Sequence, residues 1–93
     1  MQSNLPEEPA SLLEFPCDFP LKVMGLSHDD FARTVLDVVL RHAPDFDPAA
    51  METRASSKGK YLSVTITIRA VSKAQLDDLY RELSGHKMVA MVL

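Results

Sequence analysis

Between residues 61 and 71 apolar and polar positions alternate without a break. Leu62, Val64, Ile66 and Ile68 fall on one side, and Ser63, Thr65, Thr67 and Arg69 on the other. A period of two is that of a strand with one dry and one wet face. Two weaker segments share it. Phe19, Leu21 and Val23 alternate with Pro20, Lys22 and Met24, which predicts a strand over 19–26, and 51–55 predicts a shorter one. The turn Ser56-Ser57-Lys58-Gly59-Lys60 joins the latter to the strand at Tyr61, so the two form a hairpin. The last six residues, Met88 to Leu93, are apolar in both phases and predict a final strand. Met88, Ala90 and Val92 would point one way and Val89, Met91 and Leu93 the other, so one set leaves apolar area outside the core.

Two stretches change to the helical period. Phe31, Val35, Val38, Val39 and His42 gather on one face of a helix over 28–43, which Pro44 ends. Leu76, Leu79, Tyr80 and Leu83 do the same in a second helix. Each start carries cap chemistry: Ser27 with Asp30, and Ser72 with Gln75, are spaced so that each side chain satisfies a backbone N–H left free at the helix start. Leu26 with Phe31 and Val71 with Leu76 are the accompanying hydrophobic staples. Gly85 is expected to close the second helix in the left-handed conformation. His42, beside Arg41, is expected to meet the free carbonyls at the end of the first.

Strand, helix, strand, strand, helix, strand folds most simply as a four-stranded antiparallel sheet of order 4-1-3-2 with both helices on one face, a ferredoxin-like α+β sandwich. The long strand at 61–71 belongs in the centre. The short one, preceded by Pro48, belongs on an edge. Residues 1–17, polar at first and carrying Pro6 and Pro9, are expected to form a flexible lead-in whose Leu12, Leu13 and Phe15 dock on the domain spanning 18–93.

Composition narrows the partners. A chain of 93 residues supports one core, and a net charge of -3 offers no attraction to phosphate backbones or anionic lipid. Nucleic acid and membrane are therefore not expected partners; no apolar run approaches a membrane span, and the acidic start, Glu7 and Glu8, is unlike a signal peptide. Cys17 is the only cysteine, so no internal disulfide can form, and a reducing cytoplasmic location is the expectation.

Several short runs together carry a resemblance: Leu13-Glu14-Phe15-Pro16, Lys22-Val23-Met24-Gly25, Arg41-His42-Ala43-Pro44, the Ser56-Ser57-Lys58-Gly59 turn with Tyr61, and Met91-Val92-Leu93. With these the sequence resembles the YbeD family of small bacterial proteins of uncharacterised function, over nearly the whole domain. The resemblance implies an ACT-like ferredoxin fold similar to regulatory domains that bind amino acids. It implies no catalytic residues and no cofactor.

In ACT-like domains a small ligand commonly sits where the first strand turns into the first helix, a place held here by Gly25, Leu26, Ser27 and His28. Asp29 and Asp30 oppose an anion there, and the Pro-Gly turn usual in amino-acid-binding members is absent. The Lys58-Gly59-Lys60 turn lacks the pattern of a P-loop and reads as a solvated hairpin tip able to meet an acidic surface. His28, His42 and His86 lie in three segments without metal-ligand spacing. The acidic residues fall on caps, loops and exposed faces, so no catalytic pair emerges. Strand order also matches the RNA-recognition module, but the exposed face of the third strand carries Ser63, Thr65 and Thr67 with only Tyr61 at one end, which is no stacking platform.

What is left is surface. Lys22, Met24, Thr65, Thr67 and Arg69 on the open sheet face, with Met91 of the last strand and Lys58 and Lys60 of the turn, form the expected interaction surface. The expected function is a non-catalytic regulatory or protein-interaction module working through that face or a sheet edge, as a homodimer or with another protein. A small-molecule sensor at the Gly25 to His28 crossover is the alternative.

Overall fold

A computed structural model describes residues 14–93. The elements follow the order β1 (Cys17–Leu26), α1 (Phe31–His42), β2 (Glu52–Ala55), β3 (Tyr61–Ala70), α2 (Lys73–Gly85) and β4 (Met91–Val92), with one 3-10 turn at Pro48–Ala50. The sheet is antiparallel with strand order β2-β3-β1-β4, which is the expected 4-1-3-2 read from the other edge.

The central pair is β1 with β3, in register over ten residues from Cys17 opposite Ala70 to Leu26 opposite Tyr61. Opposite residues in an antiparallel ladder share a face. Leu21 and Val23 therefore join Val64, Ile66 and Ile68 beneath the helices, and all five are essentially inaccessible. From above, α1 contributes Phe31, Val35, Val38 and Val39, and α2 contributes Leu76, Leu79 and Leu83. Phe46 and Ala43 close the core under the connection that follows α1. No polar or charged side chain is buried among the described residues. Specificity of packing therefore rests on shape and on the alternation in β3, with each buried aliphatic side chain contributing about 1.5–3 kcal/mol.

The sequence expectations are corrected at four places. Helix α1 starts at Phe31, not at His28, and Asp30 makes no side-chain cap hydrogen bond. The Asp30 N–H that Ser27 would cap goes to His28 Nδ1 at 3.0 Å, and the Ser27 N–H donates to the Lys60 carbonyl at 2.8 Å, so neither half of the expected capping box forms. The staples do not form either: Phe31 and Leu76 enter the core, whereas Leu26 and Val71 face solvent. Gly85 stays helical, since Gly59 is the only described residue with positive φ, and the helix is closed by His86, whose N–H donates to the Leu83 carbonyl. The last strand is shorter than its apolar run, because residues 86–89 form a turn in which both Met88 and Val89 lean on the core. Alternation resumes only at Met91, outside, and Val92, inside.

The second helix start forms as expected. Ser72 Oγ accepts from the Gln75 N–H at 3.0 Å, and Gln75 Oε1 accepts from the Val71 N–H at 2.7 Å. Gln75 Nε2 also donates to the His42 carbonyl at 2.7 Å, linking the start of α2 to the end of α1. Phe15 and Cys17 pack against the core as β1 begins; Leu12 and Leu13 lie outside the described residues.

Candidate functional site

Two surfaces stand out, and they meet at Leu26. The first is a cleft of about 570 Å³ where β1 turns toward α1, lined by Leu26, Ser27 and His28 on one wall and by Lys87, Met88, Val89 and Ala90 on the other. The two walls are built by the same local device. In one, His28 Nδ1 accepts from the Asp30 N–H at 3.0 Å and the His28 carbonyl from the Phe31 N–H at 3.0 Å. In the other, His86 Nδ1 accepts from the Met88 N–H at 3.1 Å and the His86 carbonyl from the Val89 N–H at 3.0 Å. Each imidazole thus does the work usually left to an Asn or Asp side chain in a turn.

Gly25 sets the distance between these walls. A Cβ at this position would lie 2.2 Å from the Met88 carbonyl oxygen and 2.5 Å from the Phe31 ring. Any side chain here would drive the 86–90 turn away from β1 and loosen the cleft.

Of the four residues expected to hold a ligand, the structure brings Leu26, Ser27 and His28 into the cleft and places Gly25 beneath it. The wall from Lys87 to Ala90 was missed, although the strand order 4-1-3-2 carries the signal: it sets the start of the last strand beside the end of the first. Chemically the cleft is apolar, with Ser27, His28 and Lys87 exposed around it. Two backbone donors at the start of α1 are already engaged by His28, which leaves a poor anion site.

The second surface is the helix-free face of the sheet. Lys22, Met24, Thr65, Thr67 and Arg69 lie together on it, as expected, and the pairing of Met91 with Met24 brings Met91 to the same face. Lys58 and Lys60 stand apart at the hairpin tip, where the Lys60 ammonium lies 5.7 Å from the Tyr61 ring centre and Lys58 is exposed. Arg69 is not a free cation, because it pairs with Asp18 at 3.1 Å. The face divides into a polar end, from Asp18 and Arg69 to Thr65, and an apolar corner. That corner holds Leu26, Tyr61, Met91 and Leu93, which are 58%, 44%, 49% and 60% exposed, around the half-buried Met24. Such a concentration is uncommon on a surface that meets only water.

A third cluster ties the helices together. Arg41 donates to one Glu82 oxygen, and His42 Nε2 lies 2.7 Å from the other. The hydrogen bond from Arg41 and then that from His42 hold the Glu82 carboxyl below its ordinary range, and the same contact raises the Arg41 guanidinium. His42 thus meets a carboxylate across the helix pair instead of the carbonyls of its own helix. The Tyr80 phenol is pushed up by burial, its ring edge-on to Phe19. Among the described residues no group of three His, Cys, Asp or Glu side chains is placed to hold a metal ion, and no helix is long and apolar enough to cross a membrane.

Comparison with known proteins places the chain. Residues 10–93 match a protein family described as "Protein of unknown function (DUF493)". A UPF0250 protein of Janthinobacterium sp. (strain Marseille) is 58% identical over 83 residues, covering 89% of this chain and 91% of the relative. A UPF0250 protein of Bordetella pertussis is 56% identical over 90 residues, covering 97% and 98%. Among solved structures, protein HP0495 from H. pylori superposes with a TM-score of 0.71 at 15% identity, over 99% of this chain and 98% of that one. The ACT domain from GTP pyrophosphokinase of Chlorobium tepidum gives 0.62 at 15% identity, over 82% and 84%. At such identity these two likenesses concern the fold, which is ACT-like. By sequence the chain belongs to the DUF493 family of uncharacterised bacterial proteins, consistent with the YbeD resemblance.

Proposed function

We propose that this member of the DUF493 family is a non-catalytic regulatory module of the bacterial cytoplasm that receives a protein partner on the open face of its sheet. The observation that carries the reading is the apolar corner formed by Leu26, Tyr61, Met91 and Leu93 on the helix-free face. With the polar strip of Thr65, Lys22 and Thr67 beside it, this face sets an exposed apolar patch next to hydrogen-bonding groups, the two ingredients of a protein interface. The uncharacterised relatives bear no enzymatic name, which agrees with a non-catalytic role.

The test is a photo-crosslinking group placed at position 93 in cells, with each captured protein re-measured against Leu26→Lys and Met91→Lys. The expected result is one partner whose capture falls at least tenfold in both variants and is unchanged in Arg33→Glu on the outer face of α1. Equal capture by all of them, or no capture at all, overturns the reading.

The cleft supports a second reading as a small-molecule sensor, since about 570 Å³ lies within the range of roughly 300–1,000 Å³ typical of ligand sites. A metabolite screen by thermal shift separates the two. A ligand at about 100 times its dissociation constant adds roughly 2.7 kcal/mol to stability, and Ala90→Trp, which fills the cleft, should abolish that gain.

A further inference from the structure

We infer that an acidic protein segment docks on the open face, seating a carboxylate between Lys22 and Arg54 and an apolar side chain in the hollow beside Tyr61. This rests on the open-face reading proposed above and adds the chemistry of what docks there.

The strand register lays the open-face side chains out in rows. Glu52, Thr65 and Lys22 form one row across β2, β3 and β1, and Arg54, Ser63 and Met24 form the next. Rows two residues apart stand about 6.5–7 Å from each other along the strands. Over these two rows lies a hollow of about 300 Å³, lined by Lys22, Glu52, Thr53, Arg54, Ser63 and Thr65. A second hollow of about 210 Å³ starts at the same Arg54 and Ser63 and runs on to Met24, Ala55 and Tyr61. The first is polar and the second apolar, and Arg54 with Ser63 is the wall they share. Each has room for one side chain of a docked segment and for little more.

Charge names the occupant of the polar hollow. Arg33, Arg41, Arg69 and Arg81 each hold a carboxylate, whereas among the described residues neither Arg54 nor Lys22 holds one. The two cations flank β3 from strands about 10 Å apart, a gap their long side chains span. An anion lying over β3 is therefore within reach of both. It would also meet hydroxyls: that of Thr65 has no partner among the described residues, and Ser63 Oγ reaches only the Arg54 carbonyl, at 3.5 Å. Glu52, opposite Thr65, is the one carboxylate lining the hollow, and it leaves the pair a single positive charge in excess. On a chain of net charge -3 this steers an acidic segment to the hollow and repels it from the rest of the surface.

The apolar hollow decides between sources of the anion. A free anion would leave it empty. A nucleic acid would bring a row of phosphates to two cations on an acidic chain. A protein segment fills both hollows when an apolar and an acidic residue project from one side of it about 7 Å apart, as residues i and i+2 of an extended chain do.

The experiment is an amide NMR titration of the full chain with a synthetic peptide repeating Leu-Ser-Glu-Ser, which in extended form sets leucine and glutamate on one side. Shifts are expected at Ser63, Thr65 and Tyr61, with affinity falling as salt is raised. Replacing glutamate by glutamine in the peptide, or leucine by glycine, should weaken binding at least tenfold. Lys22→Glu and Arg54→Glu, each shown to be folded by its own amide spectrum, should do the same. Glu52→Gln should bind more tightly than wild type, and Arg33→Glu should bind equally. No shifts on the open face, a glutamine peptide that binds as well, or an oligothymidylate that gives the same shifts at lower concentration would each overturn the acidic segment. Crosslinking from position 93 separates this from the reading beneath it. Capture that survives Lys22→Glu and Arg54→Glu but falls in Leu26→Lys and Met91→Lys overturns the acidic segment and leaves the open-face partner standing. Capture unchanged in all four overturns the open-face reading itself.

Discussion

Replacing Gly25 by alanine adds one methyl group at the point where β1, the Phe31 ring and the 86–90 turn converge. The new Cβ would sit 2.2 Å from the Met88 carbonyl oxygen, so relief requires a displacement of about 1 Å. Neither neighbour yields easily. Phe31 is fully buried, and the Met88 carbonyl belongs to a turn held by two hydrogen bonds to His86 and anchored by the Ala90 N–H to the Met24 carbonyl at 2.7 Å. Overpacking costs about 1–3 kcal/mol, and a backbone neighbour puts this site at the upper end. Losing the Ala90 bond as the turn moves adds about 1 kcal/mol. Reduced freedom of the unfolded chain returns about 0.4–1 kcal/mol. The net expectation is a destabilisation of about 3 kcal/mol, which lowers Tm by roughly 12–24 °C in a domain of this size. Urea denaturation followed by circular dichroism measures it, with Gly85→Ala as the counterpart. At Gly85 a Cβ meets nothing within 4 Å, so the same substitution should stabilise by about 0.5–1 kcal/mol. A loss below about 0.5 kcal/mol for Gly25→Ala would refute the account of the crossover.

Three further outcomes are expected. Ser72→Ala removes a formed cap and should cost about 1 kcal/mol, whereas Ser27→Ala, whose side chain caps nothing, should change stability by less than about 0.5 kcal/mol in the same denaturation assay. Glu82→Gln removes a carboxylate whose folded pKa lies below its ordinary 4.5, so the stability it contributes is present above that value and lost as pH falls through the depressed one. The stability gap between wild type and Glu82→Gln should therefore be full at neutral pH and narrow below about pH 4.5, as read from urea midpoints across a pH series. Phe31→Ala, at the centre of the core beside Gly25, should lose about 3–5 kcal/mol and leave little folded protein at 37 °C by differential scanning calorimetry.

What the sequence determined by itself is whatever rests on neighbours along the chain. The alternation from Leu62 to Ile68, the stripes of α1 and α2, and the Ser72 cap with Gln75 involve contacts a few residues apart, and each formed where its pattern lay. Ser27 with Asp30 carries nearly the same pattern as Ser72 with Gln75 and formed nothing, because His28 Nδ1 took the Asp30 N–H and a carbonyl 33 positions away, that of Lys60, claimed the Ser27 N–H through the pairing of β1 with β3. Strand order decided the candidate site in the same way: Leu26 to His28 were readable as a crossover, but the wall from Lys87 to Ala90 arrives only when β4 docks beside β1. The tertiary structure likewise chose Met91 and Leu93 as the outward set of an ambiguous apolar run, since the antiparallel register puts Val92 opposite the buried Val23. Local propensity writes an element into the chain, but which of its groups are used up and which are left to meet a partner depends on what long-range pairing brings alongside.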